Sequence, residues 1–373
     1  MNKGKNPIAL SGKKRKWVLL FCGSLLLIYL YSAMKPTDAN IRFISNPELG
    51  CILPNSQWKG NRIDEKGRFS NLNHPYTPTY SSIIKMMSEK NPQRNAKKND
   101  TFQLPLIEDL SFLDNKEDVV IWLGHATFFI RINGISLITD PVFANVSVSE
   151  RKSRLPFPPP PDLLRNLDYV LISHDHRDHL DKKSLRLIIE NNPTAEILSG
   201  LRMDEWFNKM LVSPKTQLAG WYQQYHTDTT KVKIYFLPAR HWSSRNLTDA
   251  NQHLWGSFII QDNENTLYFS GDTGYDSHLK EVATLFGEID ICMMGIGAYK
   301  PEWFMSPNHI SPLDAIKAVN EMQVKNFIPM HYGTFDLSDE PIGEPIELIK
   351  QEELKGTLKP NLIDLKVGEN YYF

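Results

Sequence analysis

Cysteine is scarce. The 373 residues hold three, Cys22, Cys51 and Cys292, too few and too scattered for a disulfide framework or a thiolate metal site. An excess of charge of either sign is also missing: 42 Lys plus Arg stand against 43 Asp plus Glu, for a net charge of -1. No global basic field exists to attract nucleic acid, which argues against a dedicated DNA or RNA binder. No internal repeat is evident, so a solenoid or propeller is not indicated. With 41% hydrophobic residues the chain is neither disordered nor fibrous, and its length suits one large folded domain or two modest ones. Its chemistry must rest on residues other than cysteine.

One long apolar run is present. Trp17 to Met34 carries no charge, is closed by Lys35-Pro36 and follows Lys3, Lys5, Lys13, Lys14, Arg15 and Lys16, with no acid among the first sixteen residues. At about 1.5 Å rise per residue the run approaches the ~20 residues that span a bilayer and exceeds a signal-peptide core of ~7 to 15. It reads as one uncleaved transmembrane anchor (17–34) behind a basic cytoplasmic tail (1–16), with everything after Lys35 outside the cytoplasm. A cleaved signal is the alternative, which Tyr31, three residues before a cut after Ala33, disfavours. Residues 35–117 have a weak pattern, with one amphipathic stretch around Ile83 to Met87, and read as a linker and wrapping extension.

From residue 118 the texture changes. Val119 to Gly124, Thr127 to Ile132 and Ile135 to Thr139 are short β-prone runs, and Asn133-Gly134 between the last two is a strong hairpin signal. Strand-like runs then alternate with helical ones: DYVLIS, Lys182 to Asn191, AEILS, Met203 to Met210, KVKIYFLP, SFII, TLYFS, IDICMMGI, Pro312 to Met322 and NFIPM. Such mixing implies sheets covered by helices, an α/β (α+β) layered catalytic domain over 118–373. The proline-rich Leu155 to Asp162 should be a stiff loop without regular structure, and Arg151, Lys152 and Arg154 just before it form a small basic cluster.

The decisive segment is LISHDHRDHLD, which places His174, His176, Asp178 and His179 within six residues directly after a strand. Imidazole and carboxylate suit zinc and similar borderline metals, and a loop leaving a strand end can turn several of them inward together. Three further strand-then-loop junctions carry candidates: His241 after KVKIYFLPAR, Asp272 after TLYFSG and His331 after NFIPM. Together they supply His174, His176 and His241 for one ion, Asp178, His179 and His331 for a second, and Asp272 to bridge both. Two three-ligand sets sharing one carboxylate leave coordination positions open to water and substrate, a catalytic rather than a structural arrangement. Asp178 and Asp272 are suited to orient the attacking water and take its proton.

These residues resemble the metallo-β-lactamase superfamily, whose pattern is HxHxDH followed by distant His, Asp and His. The similarity is closer to N-acylphosphatidylethanolamine-hydrolysing phospholipase D and its bacterial relatives. It is carried by WLGHAT, TDPVF, SHDHRDHLD, ARHWSSR, LWGSF, FSGDTGY, GIGAYKPEWFM and MHYGTF in that order, over about Arg68 to Glu344. The resemblance implies a four-layer αββα sandwich with two zinc ions per subunit at one edge, iron or manganese being an alternative at one position. It adds His125 and Asp140 as residues behind the ligands, able to reach their imidazoles, and His309 as a catalytic candidate facing the substrate. Departures fall at Arg177, where mammalian members carry an aromatic residue, and at Tyr332, where they carry tryptophan; both are expected at the mouth of the site.

The implied activity is phosphodiester cleavage of an N-acylphosphatidylethanolamine-like lipid to N-acylethanolamine and phosphatidic acid by water activated between two cations. A membrane anchor beside the site makes a phospholipid a natural substrate. Arg151, Lys152 and Arg154 would meet lipid phosphate and an apolar rim of Phe157, Trp303, Phe304 and Met305 the acyl chains, with Arg177 and Tyr332 as further substrate contacts at the mouth. Two other readings stand beside it: a lactonase or other ester or phosphodiester hydrolase of the same fold, and a non-catalytic membrane-tethered binding protein. A homodimer is left open.

Overall fold

The computed structural model describes residues 42–373 apart from 56, 76–77, 147–159 and 247. The expected tail and anchor (1–34) lie outside the described residues, as do Arg151, Lys152, Arg154 and Phe157. Among the described residues no helix is long and apolar enough to cross a membrane.

In chain order the strands are β1 (Arg42–Ile44), β2 (Gly50–Cys51), β3 (Asn61–Ile63), β4 (Val119–Trp122), β5 (Phe128–Ile132), β6 (Ile135–Thr139), β7 (Tyr169–Ile172), β8 (Glu196–Gly200) and β9 (Thr216–Ala219). They continue as β10 (Gln223–Gln224), β11 (Lys233–Leu237), β12 (Ser257–Gln261), β13 (Thr266–Phe269), β14 (Ile289–Gly295), β15 (Val324–Met330), β16 (Asn361–Leu362) and β17 (Asn370–Tyr372). The helices are α1 (Tyr80–Ser88), α2 (Arg94–Asn99), α3 (Lys182–Asn191), α4 (Asp204–Met210), α5 (Ser277–Phe286), α6 (Glu302–Met305), α7 (Pro312–Glu321) and α8 (Glu344–Leu354).

Two sheets carry the domain, one in the order β17-β4-β5-β6-β7-β8-β9 and the other β16-β15-β14-β13-β12-β11-β10-β2. Each starts antiparallel (β4-β5-β6; β11-β12-β13) and turns parallel (β6-β7-β8-β9; β13-β14-β15-β16). The two halves thus repeat one architecture without repeating a sequence. The hairpin expected at Asn133-Gly134 forms between β5 and β6, with both residues at positive φ (47° and 74°), as a type I′ turn requires.

Alternation along the strands builds the layers. In β4, Val120 and Trp122 face the core between the sheets, whereas Val119 and Ile121 face a second cluster with Leu185 and Ile188 of α3 and Phe207 and Met210 of α4. Both faces of that sheet are therefore buried. Phe128 of one sheet meets Phe269 of the other at a centroid distance of 6.3 Å. On the far side α7 packs on β14 and β15, and α5 and α8 pack on α7. The result is the αββα sandwich the resemblance implies.

The segment before β4 is woven into this frame. β2 adds to the second sheet by pairing with β10, and Phe69 is buried with its N–H donating to the carbonyl of Asn251. The proline-rich loop differs in one detail from expectation: Pro161–Leu163 forms a single 3₁₀ turn, which proline tolerates at its first position.

Candidate metal centre

The six-residue cluster begins two residues beyond β7. Ser173 is held by Asp140, which accepts from the Ser173 backbone N–H at 2.7 Å and from its Oγ at 2.6 Å. The chain then turns once, with the N–H groups of His179 and Leu180 both donating to the His176 carbonyl, so that Asp178 and His179 come back beside His174. Asp272 lies three residues past β13, and Gly271 before it takes φ +54°; a Cβ there would meet Ser173 Cβ at 2.8 Å and the Gly256 carbonyl oxygen at 2.9 Å. Glycine is needed for so close an approach of the two loops. His331 follows β15 directly at φ 63°, and its N–H donates to the carbonyl of His125, itself at φ 52°. Left-handed backbone at non-glycine residues is strained, and here it occurs at the strand ends that turn side chains into the site. His241 is braced by Asn71, whose amide donates to the His241 carbonyl at 2.9 Å and accepts from its N–H at 3.1 Å.

Two groups form. In the first, His176 Nδ1 lies 2.9 Å from His174 Nε2 and 3.1 Å from His241 Nε2. In the second, His179 Nε2 lies 3.2 Å from His331 Nε2, and Asp178 Oδ2 is 3.6 Å from the former and 3.5 Å from the latter. Asp272 belongs to both: Oδ1 is 3.1 Å from His331 Nε2, while Oδ2 is 3.2 Å from His179 Nε2, 3.8 Å from His174 Nε2 and 3.7 Å from His241 Nε2.

The hydrogen bonds behind these atoms fix the ring tautomers. His241 Nδ1 donates to the carbonyl of Asn308 at 2.9 Å and His179 Nδ1 to Asp140 Oδ2 at 2.8 Å. Ser173 Oγ gives its proton to Asp140, so it accepts from His174 Nδ1 at 2.9 Å. The Nε2 atoms of His174 and His241 are left with bare lone pairs aimed at their neighbours, whereas His179 gives up its Nε2 proton only when an ion arrives. Lone pairs crowded to about 3 Å repel unless a cation accepts them, and three imidazoles with one or two carboxylates are a donor set that zinc and similar metals take. The residues present fit two such ions.

Electrostatics divide the groups. Burial holds His174 and His241 well below the ordinary histidine range, and these rings are neutral and ready to ligate. Burial also opposes charge on His179 and His331, but Asp272 beside them outweighs it, raising His179 well above the usual range and His331 to about 9. Asp178 and Asp272 are buried, yet His179 and its neighbours keep both carboxyls well below the usual range. Ions entering the second group would displace protons.

The remaining candidates divide. Asp140 reaches the imidazole of His179, 2.8 Å from its Nδ1. His125 does not: its Nε2 lies 3.0 Å from Asp178 Oδ2, so it backs a carboxylate rather than a ring. His309 stands at the edge of the cluster with Nδ1 3.7 Å from Asp272 Oδ2. Arg177 is exposed, its guanidinium 3.5 Å from the Arg245 carbonyl. Trp303 is exposed too, donating to Glu89 at 2.9 Å with Lys85 over its ring, and Met305 is half-buried. Two rim expectations are corrected. Phe304 is buried, and Tyr332 is a core residue stacked on Trp122 at 5.2 Å, its hydroxyl pKa raised by burial and by Asp364. A position next to a ligand in sequence placed Tyr332 at the mouth, whereas alternation after β15 turns it into the sandwich. Sequence reasoning missed Asn71, Asn308 and the buried Asp175–His253 pair; Asn308 acts through its carbonyl and leaves no residue-type signal.

Comparison with known proteins agrees with this geometry. A family model described as a beta-lactamase superfamily domain matches residues 136–332. An N-acyl-phosphatidylethanolamine-hydrolyzing phospholipase D of Caenorhabditis elegans is 31% identical over 66% of this chain and 74% of its own length. The mitochondrial protein of that description from Saccharomyces cerevisiae is 29% identical over 68% of this chain and 55% of its own length. Igni18, a metallo hydrolase of Ignicoccus hospitalis, superposes with a TM-score of 0.52 at 19% identity, over 69% of this chain and 98% of that one, a likeness of fold. The paired ligand groups on an αββα frame and these similarities together make the chain a member of the metallo-β-lactamase superfamily, in its N-acylphosphatidylethanolamine-hydrolysing phospholipase D-like branch, and a metal-dependent hydrolase.

Proposed function

We propose that the protein is a dinuclear zinc phosphodiesterase of phospholipase D type, which hydrolyses N-acylphosphatidylethanolamine-like lipids to N-acylethanolamine and phosphatidic acid. The observation that carries this reading is Asp272, whose two oxygens face both histidine groups. The names of the worm and yeast relatives supply the substrate class.

His174, His176, His241 and Asp272 would hold one ion and Asp178, His179, His331 and Asp272 the other. When bound, such a pair supplies positive charge that makes a water acidic and neutralises charge building on a phosphate. Asp178 and Asp272 present acceptor oxygens to that space and orient the water. Its oxygen bonds to phosphorus, the bond from phosphorus to the ethanolamide oxygen breaks, and the leaving alkoxide takes up a proton. Burial holds His309 down to about 4, so near neutral pH it enters as an uncharged imidazole beside Asp272.

The basic tail and the apolar run Trp17 to Met34 support a single-pass anchor with the catalytic domain beyond the cytoplasm, which would hold the site near lipid headgroups. Extraction of membranes at high pH tests it: release of the chain into the supernatant refutes the anchor.

Incubating the zinc-loaded protein with N-acylphosphatidylethanolamine in mixed micelles containing ¹⁸O-water, followed by mass spectrometry, tests the reaction. The expected result is N-acylethanolamine and phosphatidic acid in equal amounts, with the label in the phosphate. Intact lipid at high enzyme loading rejects the assignment, and turnover of lactones alone would replace it with a lactonase.

A further inference from the structure

Asp175 stands between the ligands His174 and His176 but joins neither group. Its Oδ2 lies 2.9 Å from Nδ1 of His253, nearer than the Trp206 indole N–H at 3.3 Å; a carboxylate only accepts, so the ring donates to it, and the two side chains are 0% and 2% exposed. The residues around this pair tie together the loops that carry the first histidine group. Arg245 donates from Nη1 to the carbonyls of Asp175 at 2.9 Å and Leu180 at 2.7 Å, spanning the turn that contains His176, Asp178 and His179. The N–H of Gly256 donates to the carbonyl of Ser173. Ser243, two residues past His241, donates from Oγ to the His253 carbonyl at 2.7 Å, and its own carbonyl accepts from Asn251. A closed circuit therefore runs from His241 through Ser243 and His253 to Asp175, and so to the ligands on either side of it.

Asp249 lies close by, and a third cation among Asp175, Asp249 and His253 would be the other reading of such a cluster. Its oxygens are already committed, Oδ1 accepting from the N–H groups of Arg245 and Asn246 and the hydroxyl of Ser244, and Oδ2 from the Asn246 side-chain amide at 3.1 Å. The Arg245 guanidinium beside the cluster supplies positive charge without a metal.

We infer that His253 is a positioning residue: the buried His253–Asp175 pair presets the spacing of His174, His176 and His241, and with it the affinity and geometry of the first metal position. The inference rests on the reading of that trio as metal ligands. A loop that is ordered before the ion arrives binds it more tightly, because less conformational freedom is lost on binding.

The test is a titration of the metal-stripped full-length protein with Co²⁺, read by its visible ligand-field spectrum, and with Zn²⁺ against a chelating dye. The wild type should take up two equivalents. His253→Leu, which removes the donor, should weaken one of the two positions by roughly 10- to 100-fold and change the cobalt spectrum of that position, leaving the other unaltered. His253→Asn, whose amide donates from a place close to Nδ1, should restore both affinity and spectrum to within a few-fold. Thermal unfolding of the metal-free variants reports whether each is folded; should His253→Leu fail, His253→Gln, with its donor one bond further out, takes its place. Two equivalents of unchanged affinity and spectrum in His253→Leu overturn the inference alone. A third equivalent in the wild type that disappears in the variant also overturns it, making His253 a ligand. A wild type that takes up no metal overturns the metal reading and this inference with it.

Discussion

Asp140 Oδ2 accepts a hydrogen bond from His179 Nδ1 at 2.8 Å, with both side chains fully buried. The same oxygen accepts from Ser173 Oγ, which in turn accepts from His174, so one carboxylate orients a ligand in each histidine group. Replacing Asp140 with Ala should weaken both metal positions, by about 10- to 100-fold each, since outer partners of metal-bound imidazoles contribute on that scale. Competition with a chelating dye measures this. An unchanged pair of affinities would show that Asp140 has no part in metal binding.

Asp272 is the shared carboxylate. In Asp272→Asn the amide retains one oxygen and loses its charge, so the variant should hold one ion in place of two and lose on the order of 10²- to 10³-fold in kcat. Metal analysis of the purified variant and turnover of a chromogenic phosphodiester give the two readings. Full activity with two ions bound would exclude a bridging role.

Removing metal should lower thermal stability. A ligand that binds only the native state at about 100 times its dissociation constant adds about 2.7 kcal/mol. In a chain of this size that is a rise in Tm of roughly 3 to 4 °C for each ion, lost on treatment with a chelator and recovered with zinc. Calorimetry in the presence and absence of chelator decides the matter, and coincident transitions would count against any tightly held ion.

His278, on α5, is buried, with Nε2 2.9 Å from Thr273 Oγ1, and burial lowers its pKa from 6.5 to about 4. Below pH 6.5 the unfolded chain binds a proton that the folded chain refuses until about pH 4. Stability should therefore fall as pH drops through that window, by up to about 3 kcal/mol from this group. Comparing Tm against pH for the metal-free wild type and His278→Gln isolates it: the variant should show the shallower decline, and parallel curves would show that the folded ring titrates normally.

Much of the candidate site was legible because its side chains sit at strand ends, and strand ends are local features. The cluster from His174 to His179, together with His241, Asp272 and His331, could each be located by a β-prone run breaking into a loop. The paired runs around Asn133-Gly134 announced their hairpin in the same way. What escaped depends on distant contacts. β2 and β17 are short edge strands whose partners, β10 and β4, lie far away in sequence. Helices α5 and α8 were not anticipated either; α5 is opened by Asp276, whose carboxylate accepts from the N–H of Ser277. The inward turn of Tyr332 and the burial of Phe304 follow from which face of the sandwich each meets, which nothing in their neighbourhood announces.

Asn71 grips the backbone of His241 from a segment that precedes β4 by almost fifty residues. A shortened chain beginning at β4 would keep every ligand yet leave the His241 peptide to find its hydrogen bonds in water. The candidate site therefore draws on residues well ahead of its first hairpin, and trimming to β4 would yield a protein with a slack third histidine.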